Sequence, residues 1–84
     1  MLSKYYHESS ATVILNEEGR EIIDQELEKI RPICDICKTE LIRISMMEGD
    51  CVVCPVDMYK HPTSWTIVYN IRTNNPPYLK KRNV

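Results

Sequence analysis

Cys34-Asp-Ile-Cys-Lys-Thr-Glu-Leu-Ile-Arg-Ile-Ser-Met-Met-Glu-Gly-Asp-Cys-Val-Val-Cys54 contains every cysteine of the chain. The four fall in two Cys-x-x-Cys pairs, Cys34/Cys37 and Cys51/Cys54, with 13 residues between the pairs. A Cys-x-x-Cys turn presents two sulfurs to one ion. A β-hairpin across the gap would bring two such turns face to face, and four thiolates would then make the closed tetrahedral set that zinc prefers in structural sites. We therefore expect one structural Zn²⁺ on Cys34, Cys37, Cys51 and Cys54.

Other uses of the thiols fit less well. A disulfide framework needs an oxidising compartment. Residues 1–10 lack the apolar centre of a signal peptide, and no apolar run approaches transmembrane length. The expectation is a cytoplasmic chain, off the membrane, with reduced thiols. A redox-active pair would open a helix inside a βαβ unit, and neither pair is so placed. Rubredoxin-like iron sites usually carry Gly after the knuckle cysteines, where this chain has Lys38 and Pro55. Zinc is the better fit.

At 84 residues the chain reads as one small domain. A core of this size supplies only about 3–5 kcal/mol, so a structural metal is a usual remedy. There is no Phe and one Trp, which leaves Ile, Val, Leu, Met and Tyr to build the interior. Residues 1–30 carry a net charge of −4 and residues 31–84 carry +3, together the overall −1. Four thiolates and a divalent ion would take the loaded protein near −3. A chain that grips phosphates by charge alone needs a clear positive excess, and this one lacks it.

The spacing predicts one strand over Ser10–Leu15 and a helix over about 17–31. Asn16 is a good N-cap, and Glu17 and Glu18 suit the positive helix end. Ile22, Ile23, Leu27 and Ile30 form the apolar stripe, and Pro32 stops the helix. Gly19 weakens the first turn, and a hairpin through Asn16–Gly19 is the competing reading. A strand follows Cys37 through Ile42, Ile44 and Met46, with Glu48-Gly49-Asp50 as its turn. Cys51–Cys54 reads as the second knuckle and residues 55–63 as a loop. Ser64–Arg72 alternates cleanly, Trp65, Ile67, Tyr69 and Ile71 on one face. Asn74-Asn-Pro-Pro77 then breaks the strand, leaving a basic and mobile tail over 74–84.

Knuckle, strand, turn, knuckle, strand is the order of a zinc ribbon, and residues 33–72 resemble that family. The 13-residue gap and the phrase Ile67-Val-Tyr-Asn-Ile-Arg-Thr73 are similar to the small zinc-ribbon subunit of archaeal and eukaryotic RNA polymerases. Ten residues intervene here between Cys54 and Trp65, and that subunit has no acidic N-terminal helix. Ile14-Leu-Asn-Glu-Glu-Gly-Arg-Glu-Ile-Ile23 resembles a strand–cap–helix phrase of winged-helix regulators, without a recognition helix before it. The fold expected is a small α+β domain: a three-stranded antiparallel zinc ribbon with two knuckles (32–73), preceded by a strand and one amphipathic helix (10–31). The resemblance implies an association with transcription machinery.

His61 lies seven residues after Cys54 and could reach the metal if one cysteine were displaced. Four thiolates closing the site would leave it a loop residue, and His7 would lie in a frayed terminus. No nucleophile–base order, phosphate loop or carboxylate pair is evident, and a closed metal offers no position for catalytic water. The expectation is therefore no enzyme, but a regulator or adaptor that binds a protein such as RNA polymerase or another macromolecular machine. The acidic helix face of Glu18, Glu21, Asp24, Gln25 and Glu28 would suit a basic protein surface. The alternative is nucleic-acid binding through residues 59–82, with Tyr59, Trp65, Tyr69 and Tyr78 for stacking and Lys60, Arg72, Lys80, Lys81 and Arg82 for phosphate. Against it, Trp65 and Tyr69 read as core.

Overall fold

A computed structural model describes residues 4–8, 13–47 and 49–82. Seven elements follow in chain order: β1 (Tyr6–Glu8), β2 (Val13–Leu15), α1 (Glu17–Ile30), β3 (Ile42–Met46), β4 (Gly49–Val53), β5 (Trp65–Asn70) and β6 (Asn75–Lys81). The helix starts where its cap residue predicts. Asn16 Oδ1 accepts the Gly19 amide at 2.9 Å, and Asn16 Nδ2 donates to the Lys4 carbonyl at 2.8 Å. One side chain thus satisfies an orphan helix donor and ties α1 to the N-terminal segment. The helix ends at Arg31, which takes the left-handed conformation (φ 53°) and returns its N–H to the Leu27 carbonyl at 2.8 Å before Pro32.

Three antiparallel pairs, β1–β2, β3–β4 and β5–β6, each form a separate two-stranded sheet. Strand β5 thus departs from the expected three-stranded ribbon: it pairs with the segment read as a mobile tail. Asn70 faces Asn75 and Val68 faces Tyr78, so Pro76 and Pro77 together oppose Tyr69 in a bulge. There the missing proline N–H groups cost no ladder bond, and Asn70 Nδ2 caps the Pro76 carbonyl at 2.9 Å. Tyr6 locks this corner, its hydroxyl accepting the Asn70 amide at 2.6 Å and donating to the Asn75 carbonyl at 3.0 Å. His7 lies in β1 rather than in a frayed end, and the first part of the strand expected over 10–15 lies outside the described residues.

Tyr6, Leu15, Ile23, Leu41, Val52 and Leu79 form one buried core with Cys34 and Cys54, and Trp65, Ile67 and Tyr69 pack on it half-buried. The helix lies across β2, β3 and β6. Gly19 has no side chain because none fits: a Cβ there would run into the Tyr5 carbonyl oxygen. A second tie is ionic. The Asp50 side chain is 1% exposed and accepts Arg43 Nη1 at 2.9 Å, Ser45 Oγ at 2.6 Å and Arg20 Nε at 3.4 Å. Arg43 also donates to Asp24 at 2.8 and 3.2 Å. The charges alternate from α1 to the β3–β4 hairpin and back, and Asp24 first, then Asp50, raise the Arg43 pKa against the opposing effect of burial. Among the described residues, no helix is long and apolar enough to cross a membrane.

Candidate metal centre

The first Cys-x-x-Cys folds as the knuckle its sequence suggests. Ile33 and Glu40 bridge antiparallel, the Cys34 amide donates to the Thr39 carbonyl at 2.8 Å, and the Lys38 amide returns to the Cys34 carbonyl at 3.0 Å. The turn closes because Lys38 adopts φ 63°, a conformation glycine takes more readily. The Ile36 amide donates to Cys34 Sγ at 3.4 Å.

The second Cys-x-x-Cys does not fold that way. Cys51, Val52 and Val53 belong to β4, with Cys51 opposite Ile44 and Val53 opposite Ile42. Side chains alternate along a strand, so residues three apart leave from opposite faces. Cys54 turns inward and is buried, whereas the Cys51 thiol leaves on the other face and lies 3.6 Å from Met46 Sδ. Cys51 is therefore not brought to the other three cysteines.

His61 takes the fourth place. After Cys54 the chain makes a tight turn around Asp57, whose Oδ1 accepts the Tyr59 and Lys60 amides at 3.1 and 3.0 Å and whose carbonyl accepts the His61 amide at 2.9 Å. This carries His61 Nδ1 to 3.6 Å from Cys54 Sγ, while Cys37 and Cys54 sulfurs stand 3.5 Å apart. All four donor atoms, on Cys34, Cys37, Cys54 and His61, lie within 4.8 Å of one another. A tetrahedral ion with bonds of about 2.3 Å to sulfur and about 2.0 Å to nitrogen would set sulfur–sulfur edges of about 3.8 Å and sulfur–nitrogen edges of about 3.5 Å. The Cys37–Cys54 and Cys54–His61 edges have that size, the others lie within 4.8 Å, and the described residues of the chain hold a candidate metal site of the Cys₃His type.

The sulfurs are not electrically alike. Hydrogen bonds from Thr39, whose hydroxyl lies 3.3 Å away, bring the Cys37 thiol down from 9.0 to about 6. Burial pushes Cys54 up, opposed by the backbone N–H groups of Asp57 and Val56. Burial, then the nearby Asp50 carboxylate, also raises Cys51. The sequence signal for His61 was Asp57: a residue whose side chain can cap two amides makes a short return to Cys54 feasible.

Of the other residues singled out from sequence, Trp65 and Tyr69 pack on the core, Tyr59 is 85% exposed and Tyr78 is exposed on β6. Asp24 of the acidic helix face is engaged by Arg43, while Glu18, Glu21, Gln25 and Glu28 remain exposed. No family model, characterised protein or solved structure matches the chain.

Proposed function

We propose that this chain is a small zinc-stabilised docking protein, a regulator or adaptor that works by binding another protein. Zinc is the ion best suited to three thiolates and an imidazole in tetrahedral array, and four protein ligands leave it a structural rather than a catalytic part. Three thiolates and Zn²⁺ lower the net charge by one, to −2, instead of the −3 that four thiolates would give.

The observation that carries the reading is what the ligand loops expose. Ile36, between Cys34 and Cys37, is 56% exposed; Val56 and Tyr59, between Cys54 and His61, are 62% and 85% exposed. Both loops converge on one donor cluster, so a metal would fix the backbones that carry these apolar side chains. An aromatic and two aliphatics are what a protein interface buries at its centre, and the acidic face of α1 would steer a basic partner. The partner class we propose, transcription or translation machinery, rests on the sequence resemblance alone, since the second knuckle and the three-stranded sheet of a zinc ribbon do not form among the described residues.

The test is affinity capture from nuclease-treated extract with the zinc-loaded protein and with a double variant, Ile36→Ser and Tyr59→Ser, of equal metal content. The reading expects a partner that survives nuclease and is lost with the variant. A partner set unchanged by the variant would contradict it.

A further inference from the structure

Residues 58–84 contain Lys60, Arg72, Lys80, Lys81 and Arg82 and no carboxylate, a charge of +5, while residues 1–57 sum to −6. The near-neutral total therefore conceals two regions of opposite sign. The basic one is not a loose tail, for Lys80 and Lys81 belong to β6 and Arg82 is tied to the Ser64 carbonyl through its amide at 2.6 Å. Among the described residues, Arg72, Lys80, Lys81 and Arg82 form no ion pair.

Alternation sorts the side chains of β6. Pro77 and Leu79 are buried toward the core, so Tyr78, Lys80 and Arg82 leave on the outer face, with Val68 and Thr66 of β5 opposite Tyr78 and Lys80. The tyrosine ring, 41% exposed, stands one strand period from Lys80 and two from Arg82. The acidic face of α1 does not cancel this field. Leu79 and Ile23 share the core, so the helix lies beneath the sheet and its exposed carboxylates lie on the helix's far side. A helix is about 10 Å across, more than the Debye length of about 8 Å at physiological salt.

We infer that the outer face of the β5–β6 hairpin is a binding site for single-stranded nucleic acid, Tyr78 stacking on a base and Arg72, Lys80 and Arg82 meeting the phosphates. A duplex, with its bases stacked inside, would have no use for the exposed ring. An aromatic set among unpaired cations on a pre-formed strand is the arrangement that single strands select. The site is independent of the metal-loop surface and does not rest on the protein-docking reading.

The experiment is a fluorescence-anisotropy titration of the zinc-loaded chain against labelled oligo(dT), oligo(U) and a duplex of equal length. Three phosphate contacts to a single strand give a salt slope of about −2, hence roughly a twentyfold loss of affinity between about 50 and 200 mM salt. Lys80→Gln and Arg82→Gln should each reduce that slope by about 0.7. Tyr78→Ala should weaken binding by about tenfold without changing the slope, and Tyr78→Phe should restore it. Metal content and melting temperature of each variant confirm folding, and Glu21→Gln is the surface control. Preference for either oligo(dT) or oligo(U), or equal binding to both, supports the site. Tighter binding to duplex, binding insensitive to both Arg82→Gln and Tyr78→Ala, or sedimentation showing instead a salt-sensitive dimer lost in Arg82→Gln, overturns it.

Discussion

Removing the carboxylate of Asp50 by Asp50→Ala should cost this protein about 3 kcal/mol, far more than any exposed charge. Asp50 is the buried centre of a network in which Arg43, Ser45 and Arg20 all converge on one carboxylate. Breaking a buried pair by deleting one partner costs about 3–5 kcal/mol, because the remaining charge stays desolvated. The lower end applies here, since Arg43 keeps Asp24 at 2.8 Å and the Arg20 side chain is 36% exposed. For a domain of this length, each kcal/mol moves the melting temperature by about 4–8 °C, so the expected drop is about 12–24 °C. That is a large part of a total stability of about 4–13 kcal/mol. The assay is calorimetry on metal-loaded protein, with Asp24→Ala as the comparison. Asp24 is half-exposed and should cost less than about 1 kcal/mol. A drop below about 5 °C for Asp50→Ala, or equal drops for the two variants, would refute the claim that this network ties the helix to the β3–β4 hairpin.

Gly19→Ala should destabilise, although alanine is the better helix former by about 1 kcal/mol. The new methyl would meet the Tyr5 carbonyl and stand 3.1 Å from Leu15 Cδ2, an overpacking cost of about 1–3 kcal/mol, visible as a lower melting temperature. Thr39→Val should raise the pH at which half the metal is released, measured with a chromogenic chelator. The Thr39 hydrogen bonds hold Cys37 down to about 6 instead of 9.0, so at this sulfur the proton competes with the metal only as pH falls toward that value and below. Without the hydroxyl the proton competes from a higher pH, and an unchanged release midpoint would show that Thr39 does not set this sulfur.

The helix was legible because its signals are local. Asn16, the acidic first turn, the Ile/Leu stripe and Pro32 lie within a few residues of what they control, and α1 runs from Glu17 to Ile30 beside an expected 17–31. The Cys34/Cys37 knuckle was legible for the same reason. The strands β3 and β5 were found by alternation, and the hairpin that follows β3 was expected, but the partner of β5 was missed although it is the next segment of the chain. Asn74-Asn-Pro-Pro77 reads as a breaker when each proline is counted as a lost hydrogen bond. Opposite a bulge at Tyr69 the count changes, and the segment continues as β6. The structure likewise gathers His61, and not Cys51, with the other three cysteines. A Cys-x-x-Cys spacing is compatible with a knuckle or with a strand, and here Val52 and Val53, both β-branched, favour the strand that sends the two thiols apart.

The Cys₃His assignment is tested most directly by metal content per chain, by elemental analysis, for the unaltered protein, Cys51→Ser and His61→Ala purified alike. The account predicts one ion per chain with an unchanged melting temperature for Cys51→Ser, and loss of metal with a lowered melting temperature for His61→Ala. A His61→Ala protein that keeps its full metal, beside a Cys51→Ser protein that loses it, would contradict the account and restore four cysteines as the ligands.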